Sequence, residues 1–211
     1  MRLAEGQVGG RTIEAANYFG PSMAIFFLFF TVSFGARSIL AERRQGTMWR
    51  LLASAASPGG VLAGKALAAF VLGTASVLVM WLATTLVFGV DWGDPPAALL
   101  LVVTFALVGT GVGMLGGSVL RNAEQATSIG PPVGIALGML GGCMWPLAIV
   151  PQPMRVIGHL FPQAWAMDAF IALIAKGEDI AGIALQLAVL AAFATVLLAL
   201  ATWRLRRALV G

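Results

Sequence analysis

The chain has 211 residues, 59% of them hydrophobic and 10% charged, with a net charge of +4. Soluble domains average roughly 45 to 50% apolar and about 25% charged residues, so a water-soluble globule is excluded: such a sequence would leave large apolar surfaces in water once its core was full. The basic residues stand singly or in pairs between apolar runs, not in a solvated stripe, which excludes a nucleic-acid interface.

Residues 1–17 mix Arg2, Glu5, Arg11 and Glu14 with glycines and lack the basic-then-apolar order of a cleavable signal peptide. Five apolar stretches follow: Phe19 to Leu40, Val61 to Val90, Ala97 to Leu120, Ile129 to Val150 and Ile180 to Trp203. Each is near the ~20 residues that a helix rising ~1.5 Å per residue needs to cross a ~30 Å hydrocarbon layer. The composition therefore predicts an all-α integral membrane protein with about five transmembrane helices.

Between the first two stretches, Arg37 to Leu52 is far richer in charge than its surroundings. On a helix, Met48, Trp49, Leu51 and Leu52 fall on one side and Arg43, Arg44, Thr47 and Arg50 on the other, the pattern of an interfacial helix with its polar face in water. Taken alone, the segment also fits an ordinary loop whose arginines pin topology and touch anionic lipid. Next comes Gly59-Gly60-Val61-Leu62-Ala63-Gly64-Lys65-Ala66, which has phosphate-loop spacing but carries Ala66 where Ser or Thr holds magnesium, and no strand precedes it. The better reading is a helix opened by Ser57-Pro58, with Lys65 one to two turns in and snorkelling to headgroups.

In the third stretch Gly111-Val112-Gly113-Met114-Leu115-Gly116 imitates a dinucleotide fingerprint, but inside an uninterrupted apolar run. Gly109, Gly113 and Gly117 recur every four residues there, as Gly130, Gly134, Gly138 and Gly142 do in the next, predicting small-residue faces for close helix packing in lipid. Pro131 and Pro132 place the regular part of the fourth span after themselves, with a kink or turn before. Cys143, the only cysteine, reads as a small buried hydrophobe. Pro146, Pro151, Pro153 and Pro162 then break any continuous span into short helical pieces, letting Gln152, Arg155 and His159 face water. His159, the only histidine, shares this segment with Asp168, with no serine or cysteine nucleophile in a recognisable relation to either. No metal-ligand pattern is present.

Alternating the connections across the bilayer puts nine basic residues, among them Arg43, Arg44, Arg50, Lys65, Arg121 and Arg204, on one side, and only Arg2, Arg11, Arg155 and Lys176 on the other. The positive-inside rule makes the first side, and the C-terminus, cytoplasmic. The N-terminus is then external, and an external start without a signal peptide predicts an upstream helix absent from this chain.

Two motifs carry a resemblance. Glu42-Arg43-Arg44-x-Gly46-Thr47-x-x-Arg50-Leu51-Leu52, followed by Ser57-Pro58 and Gly64-Lys65, closely resembles the ABC-2 type permeases of ATP-binding cassette exporters. So does Gly141-Gly142-x-x-Trp145-Pro146-Leu147 leading into Pro151-x-Pro153-Met154-Arg155 and Phe161-Pro162-x-Ala164-Trp165-x-x-Asp168-Ala169-Phe170. The resemblance implies one ABC-2 type transmembrane domain over 1–211. It has an external N-terminal segment (1–17), a cytoplasmic amphipathic coupling helix (41–56) and an external re-entrant helical hairpin (151–176) containing Trp165 and Asp168.

It further implies that Glu42 to Leu52, with Arg43, Arg44 and Arg50 as charged contacts and Trp49, Leu51 and Leu52 against the membrane, docks on a separate cytoplasmic ATPase that binds ATP and magnesium. This chain itself binds no cofactor and is not an enzyme. The protein would sit in the cell membrane, pair with a second permease as a homodimer or heterodimer, and move a hydrophobic or amphipathic substrate such as a drug or lipid outward. The family usually has six membrane helices and this chain corresponds to the part from the second onward, in agreement with the absent upstream helix. The other functional class that fits is a non-transporting membrane interaction or assembly protein.

Overall fold

The computed structural model describes residues 7–8, 11–12, 15–45 and 57–210. A two-residue antiparallel ladder, β1 (Gln7–Val8) with β2 (Arg11–Thr12), pairs Gln7 with Thr12 and Val8 with Arg11. The remaining elements among the described residues are helices. Helix α1 (Ala15–Arg44) covers the first apolar stretch and runs for roughly 45 Å. Its last turn contains Ala41 to Arg44, so the beginning of the expected coupling segment continues the helix; Gly46, Thr47, Trp49, Arg50, Leu51 and Leu52 lie outside the described residues.

Helix α2 (Pro58–Phe88) starts as its sequence dictates: Pro58 fits a first-turn position and the Ser57 hydroxyl accepts from the Gly60 N–H at 3.1 Å. The phosphate-loop look-alike is thus the first two turns of a helix. Helix α3 (Pro95–Val119) is capped by Asp94, whose carboxylate accepts from Ala97 N–H at 3.1 Å. Helix α4 (Ala123–Leu140) is capped by Asn122, which accepts from Gln125 N–H at 2.7 Å, while Gln125 accepts from Arg121 N–H at 2.9 Å. Among the described residues, 59–88, 95–119 and 184–205 are helical segments long and apolar enough to cross a membrane.

The fourth apolar stretch behaves differently from its prediction. Helix α4 is continuous through Pro131 and Pro132 and ends at Leu140, short of Val150. The two prolines withhold donors from the carbonyls of Thr127 and Ser128, but both residues are exposed within the first two turns, near the charged end where water reaches them. The chain then turns at Gly142, whose φ of 82° is a left-handed conformation that disfavours a side chain. A 3₁₀ turn (Leu147–Ile149), helix α5 (Gln152–Gly158) and helix α6 (Pro162–Ile171, continued by a π turn to Lys176) follow, α5 and α6 meeting at a 105° bend. Helix α7 (Ala184–Val210) closes the chain.

α3 is the central helix, packed by α1, α2, α6 and α7. At one end of the bundle Asn17 of α1 accepts from Asp91 N–H at 3.0 Å, and Trp92 lies between Trp81 and Phe170, with centroid separations of 5.4 Å to each. At the other end Ile39, Leu62, Met114, Ala201 and Leu205 form a smaller cluster. The helices therefore alternate in direction, and the second end gathers the basic residues Arg44, Lys65, Arg121 and Arg204.

Candidate functional site: the basic end and the proline-rich hairpin

At the basic end, α1 and α2 converge where the coupling segment leaves one and enters the other. Arg44 is exposed, and Glu42, two residues earlier and so on the opposite side of the helix, forms an ion pair with Lys65 of α2, both side chains partly buried. Lys65 therefore does not extend to headgroups as its position suggested; its ammonium is turned inward by a carboxylate 23 residues away in sequence. Arg43 belongs to the last turn of α1. A cleft of about 550 Å³ lies between α1, α2 and α3, with the Glu42–Lys65 pair in its wall.

Among the glycines singled out, Gly109, Gly113, Gly117, Gly134, Gly138 and Gly142 are buried. A Cβ at Gly138 would lie 2.6 Å from the Phe26 ring, and one at Gly117 3.0 Å from Ile39, so both glycines admit α1. Gly111, outside the four-residue series, does the same for α7: a Cβ there would stand 2.7 Å from the Leu197 Cβ. The dinucleotide-like string is explained by α3 having close neighbours on two faces, and only one of those faces shows as an i, i+4 repeat.

At the opposite end the prolines divide the chain as steric exclusion requires. Pro146 precedes the 3₁₀ turn, Pro151 and Pro153 flank the start of α5, and Pro162 occupies the first turn of α6. Arg155 is exposed, yet its guanidinium is committed to protein, donating to the carbonyls of Leu147 at 3.0 Å and Ala148 at 2.9 Å. His159 fastens the bend: one ring nitrogen lies 2.8 Å from the Arg155 carbonyl and the other 2.7 Å from the Asp168 carboxylate, while the Trp165 indole N–H donates to the His159 carbonyl at 2.9 Å.

A carbonyl and a carboxylate both only accept, so the ring that satisfies both carries two N–H groups and is the imidazolium. Burial alone lowers the His159 pKa, but the Arg155 carbonyl and the Asp168 carboxylate outweigh it and the net shift is upward. With both nitrogens engaged the ring has no free lone pair for base catalysis; His159 and Asp168 act as a clasp. Tyr18 at the start of α1 supplies a further tie, its hydroxyl donating to the Gly142 carbonyl. Nothing in the sequence marks that bond, which joins residues 124 positions apart. Gln163 and Cys143, both buried beneath the bend, were likewise not readable as its neighbours.

Residues 7–203 match the family described as ABC-2 family transporter protein. The chain is similar to the linearmycin resistance permease protein LnrN of Bacillus subtilis (strain 168), with 34% identity over 194 residues, which is 92% of this chain and 50% of that protein. It thus spans about half the length of that relative. The match runs through α1, α2, the glycine-packed α3, the proline-rich hairpin and most of α7, and it is on this extent that the chain belongs to the ABC-2 family of transporter proteins.

Proposed function

We propose that this chain is a permease subunit of an ATP-binding cassette exporter, moving a hydrophobic or amphipathic substrate outward while a separate ATPase supplies the energy. The observation that carries the reading is the family match over residues 7–203, joined to an arginine-bearing connection between α1 and α2. Among the described residues the apolar spans hold little buried charge with which to select a polar cargo, and the resistance function in the relative's name supports a drug-like one.

In this reading the basic end faces the cytoplasm, as the excess of Lys and Arg there supports. Glu42 to Leu52 rests in a groove of the ATPase, through Arg43, Arg44 and Arg50. Two permease chains pair in the cell membrane, and ATP-driven closure of the ATPases tilts α1 and α2 through this connection, both partners biasing one two-state element. The chain itself hydrolyses nothing; ATP and magnesium belong to the partner.

Co-purification in mild detergent tests this. A P-loop ATPase should accompany the tagged protein and be lost when Arg43, Arg44 and Arg50 are replaced by Glu, with the variant still in the membrane fraction. An intact membrane complex without an ATPase would favour a non-transporting assembly role instead.

A further inference from the structure

The 550 Å³ cleft between α1, α2 and α3 has the size of a small-molecule site, roughly 300 to 1,000 Å³, and the coupling reading makes no use of it. Its α2 wall is built from small residues about a turn apart, Gly60, Gly64 and Ala68, with Leu72 beyond. A Cβ at Gly64 would meet nothing within 4 Å. The missing side chain there opens space; it does not admit a neighbouring helix as Gly111 and Gly138 do.

These four α2 residues are exposed, and Leu67 and Val71 beside them are 62% and 53% exposed. The cleft therefore opens sideways onto an apolar helix face that, in a bilayer, lipid covers. Within it stands the Glu42–Lys65 pair, and from Lys65 to Leu72 the apolar wall continues for roughly 10 Å along the helix. A charged level followed by an apolar channel open to lipid matches one amphiphile, a phospholipid lying with its chain in the groove.

The charge pattern selects the headgroup. A phosphoethanolamine group carries a phosphate and a primary ammonium on a short linker, so the phosphate accepts from Lys65 while the ammonium donates to Glu42, and each protein charge exchanges one partner for another. A phosphoglycerol headgroup pairs with Lys65 but brings no ammonium to donate to Glu42. A phosphocholine headgroup brings a cation with no N–H to donate. We propose that the α1–α2 cleft is a binding site for one phospholipid with a phosphoethanolamine headgroup, held at Glu42 and Lys65 with an acyl chain along Gly64, Ala68 and Leu72.

The test is native mass spectrometry of the protein purified from its membrane, reconstituted in vesicles of equal parts phosphatidylethanolamine, phosphatidylglycerol and phosphatidylcholine, then re-extracted. The expected result is one phosphatidylethanolamine per chain, favoured about tenfold, the factor of a single charge-assisted hydrogen bond. Gly64→Leu and Ala68→Leu should each abolish retention, and Glu42→Gln should erase the headgroup preference while leaving the protein folded by circular dichroism. No retained lipid, equal retention of all three, or retention unchanged by Gly64→Leu and Ala68→Leu would overturn the assignment. So would a wild-type oligomer that Gly64→Leu disperses, since a second copy would then occupy the cleft. No readout here uses export or an ATPase, so the site stands or falls separately from the transport reading.

Discussion

Replacing His159 with Phe keeps a ring against Trp165, where the two rings now meet edge-on at 5.3 Å, but removes both bonds of the clasp. A hydrogen bond to a charged group contributes about 1.5 to 3 kcal/mol. The side chains of His159 and Asp168 are 28% and 37% exposed, and solvent screening reduces the net loss to about 1 to 2 kcal/mol. That raises the population of the open hairpin by roughly 5- to 30-fold. Cys143 is an internal reporter of this opening, fully buried in the cluster that contains Ala166 and Met167 of α6, so its labelling by a small thiol reagent should accelerate in the variant by that factor at pH 6.

The effect has a required pH dependence. The His159 pKa is raised in the folded hairpin, so the clasp contributes fully below the unfolded value of about 6.5. It is lost as pH rises through the folded value. Both proteins share the same thiol, so the variant-to-wild-type labelling ratio should be largest near pH 6 and fall toward one under alkaline conditions. Equal labelling at pH 6, or a ratio that grows with pH, would refute the clasp.

Three other outcomes follow from the packing and the coupling proposal. Gly111→Ala forces a Cβ to 2.7 Å from Leu197 and 3.3 Å from the Leu198 backbone nitrogen; this overpacking should cost about 1 to 3 kcal/mol, seen as a lower midpoint of thermal unfolding in detergent, whereas Gly64→Ala, a helix-interior position with open space around it, should not lower the midpoint and should raise it slightly. Trp92→Ala removes a 2% exposed ring that stacks on Trp81, meets Phe170 edge-on and donates to the Thr84 hydroxyl at 3.2 Å; about 3 to 5 kcal/mol of stability should go with it, measurable as reduced folded yield in the membrane. Thr47→Glu should weaken ATPase coupling without changing membrane insertion, checked by export and fractionation of the same cells.

What could be read from residues alone divides along physical lines. The second, third and fifth apolar stretches became helices close to their expected bounds because twenty or more apolar residues in lipid have no alternative that satisfies the backbone. Ser57-Pro58 announced a helix start because caps are local chemistry. The fourth stretch misled because hydropathy does not distinguish a span from an apolar turn: residues 141–150 are as greasy as a helix, yet Gly142 and Pro146 turn them aside. Pro131 and Pro132 misled in the opposite sense, since their cost depends on whether water reaches the freed carbonyls. The clasp was half visible, as His159 and Asp168 were noted in one segment, but their pairing depends on the 105° bend between α5 and α6. Lys65 with Glu42 and Tyr18 with Gly142 depend on which helices are neighbours, and no local pattern encodes that.

The most direct test of the transport reading is ATP hydrolysis in proteoliposomes by the partner ATPase with and without this chain. Stimulated turnover that disappears when Arg43, Arg44 and Arg50 are changed to Glu, with the proteins still in the same vesicles, is the expected result. Turnover indifferent to the chain, or stimulation that survives the charge reversal, would contradict the proposal that the connection between α1 and α2 carries the coupling.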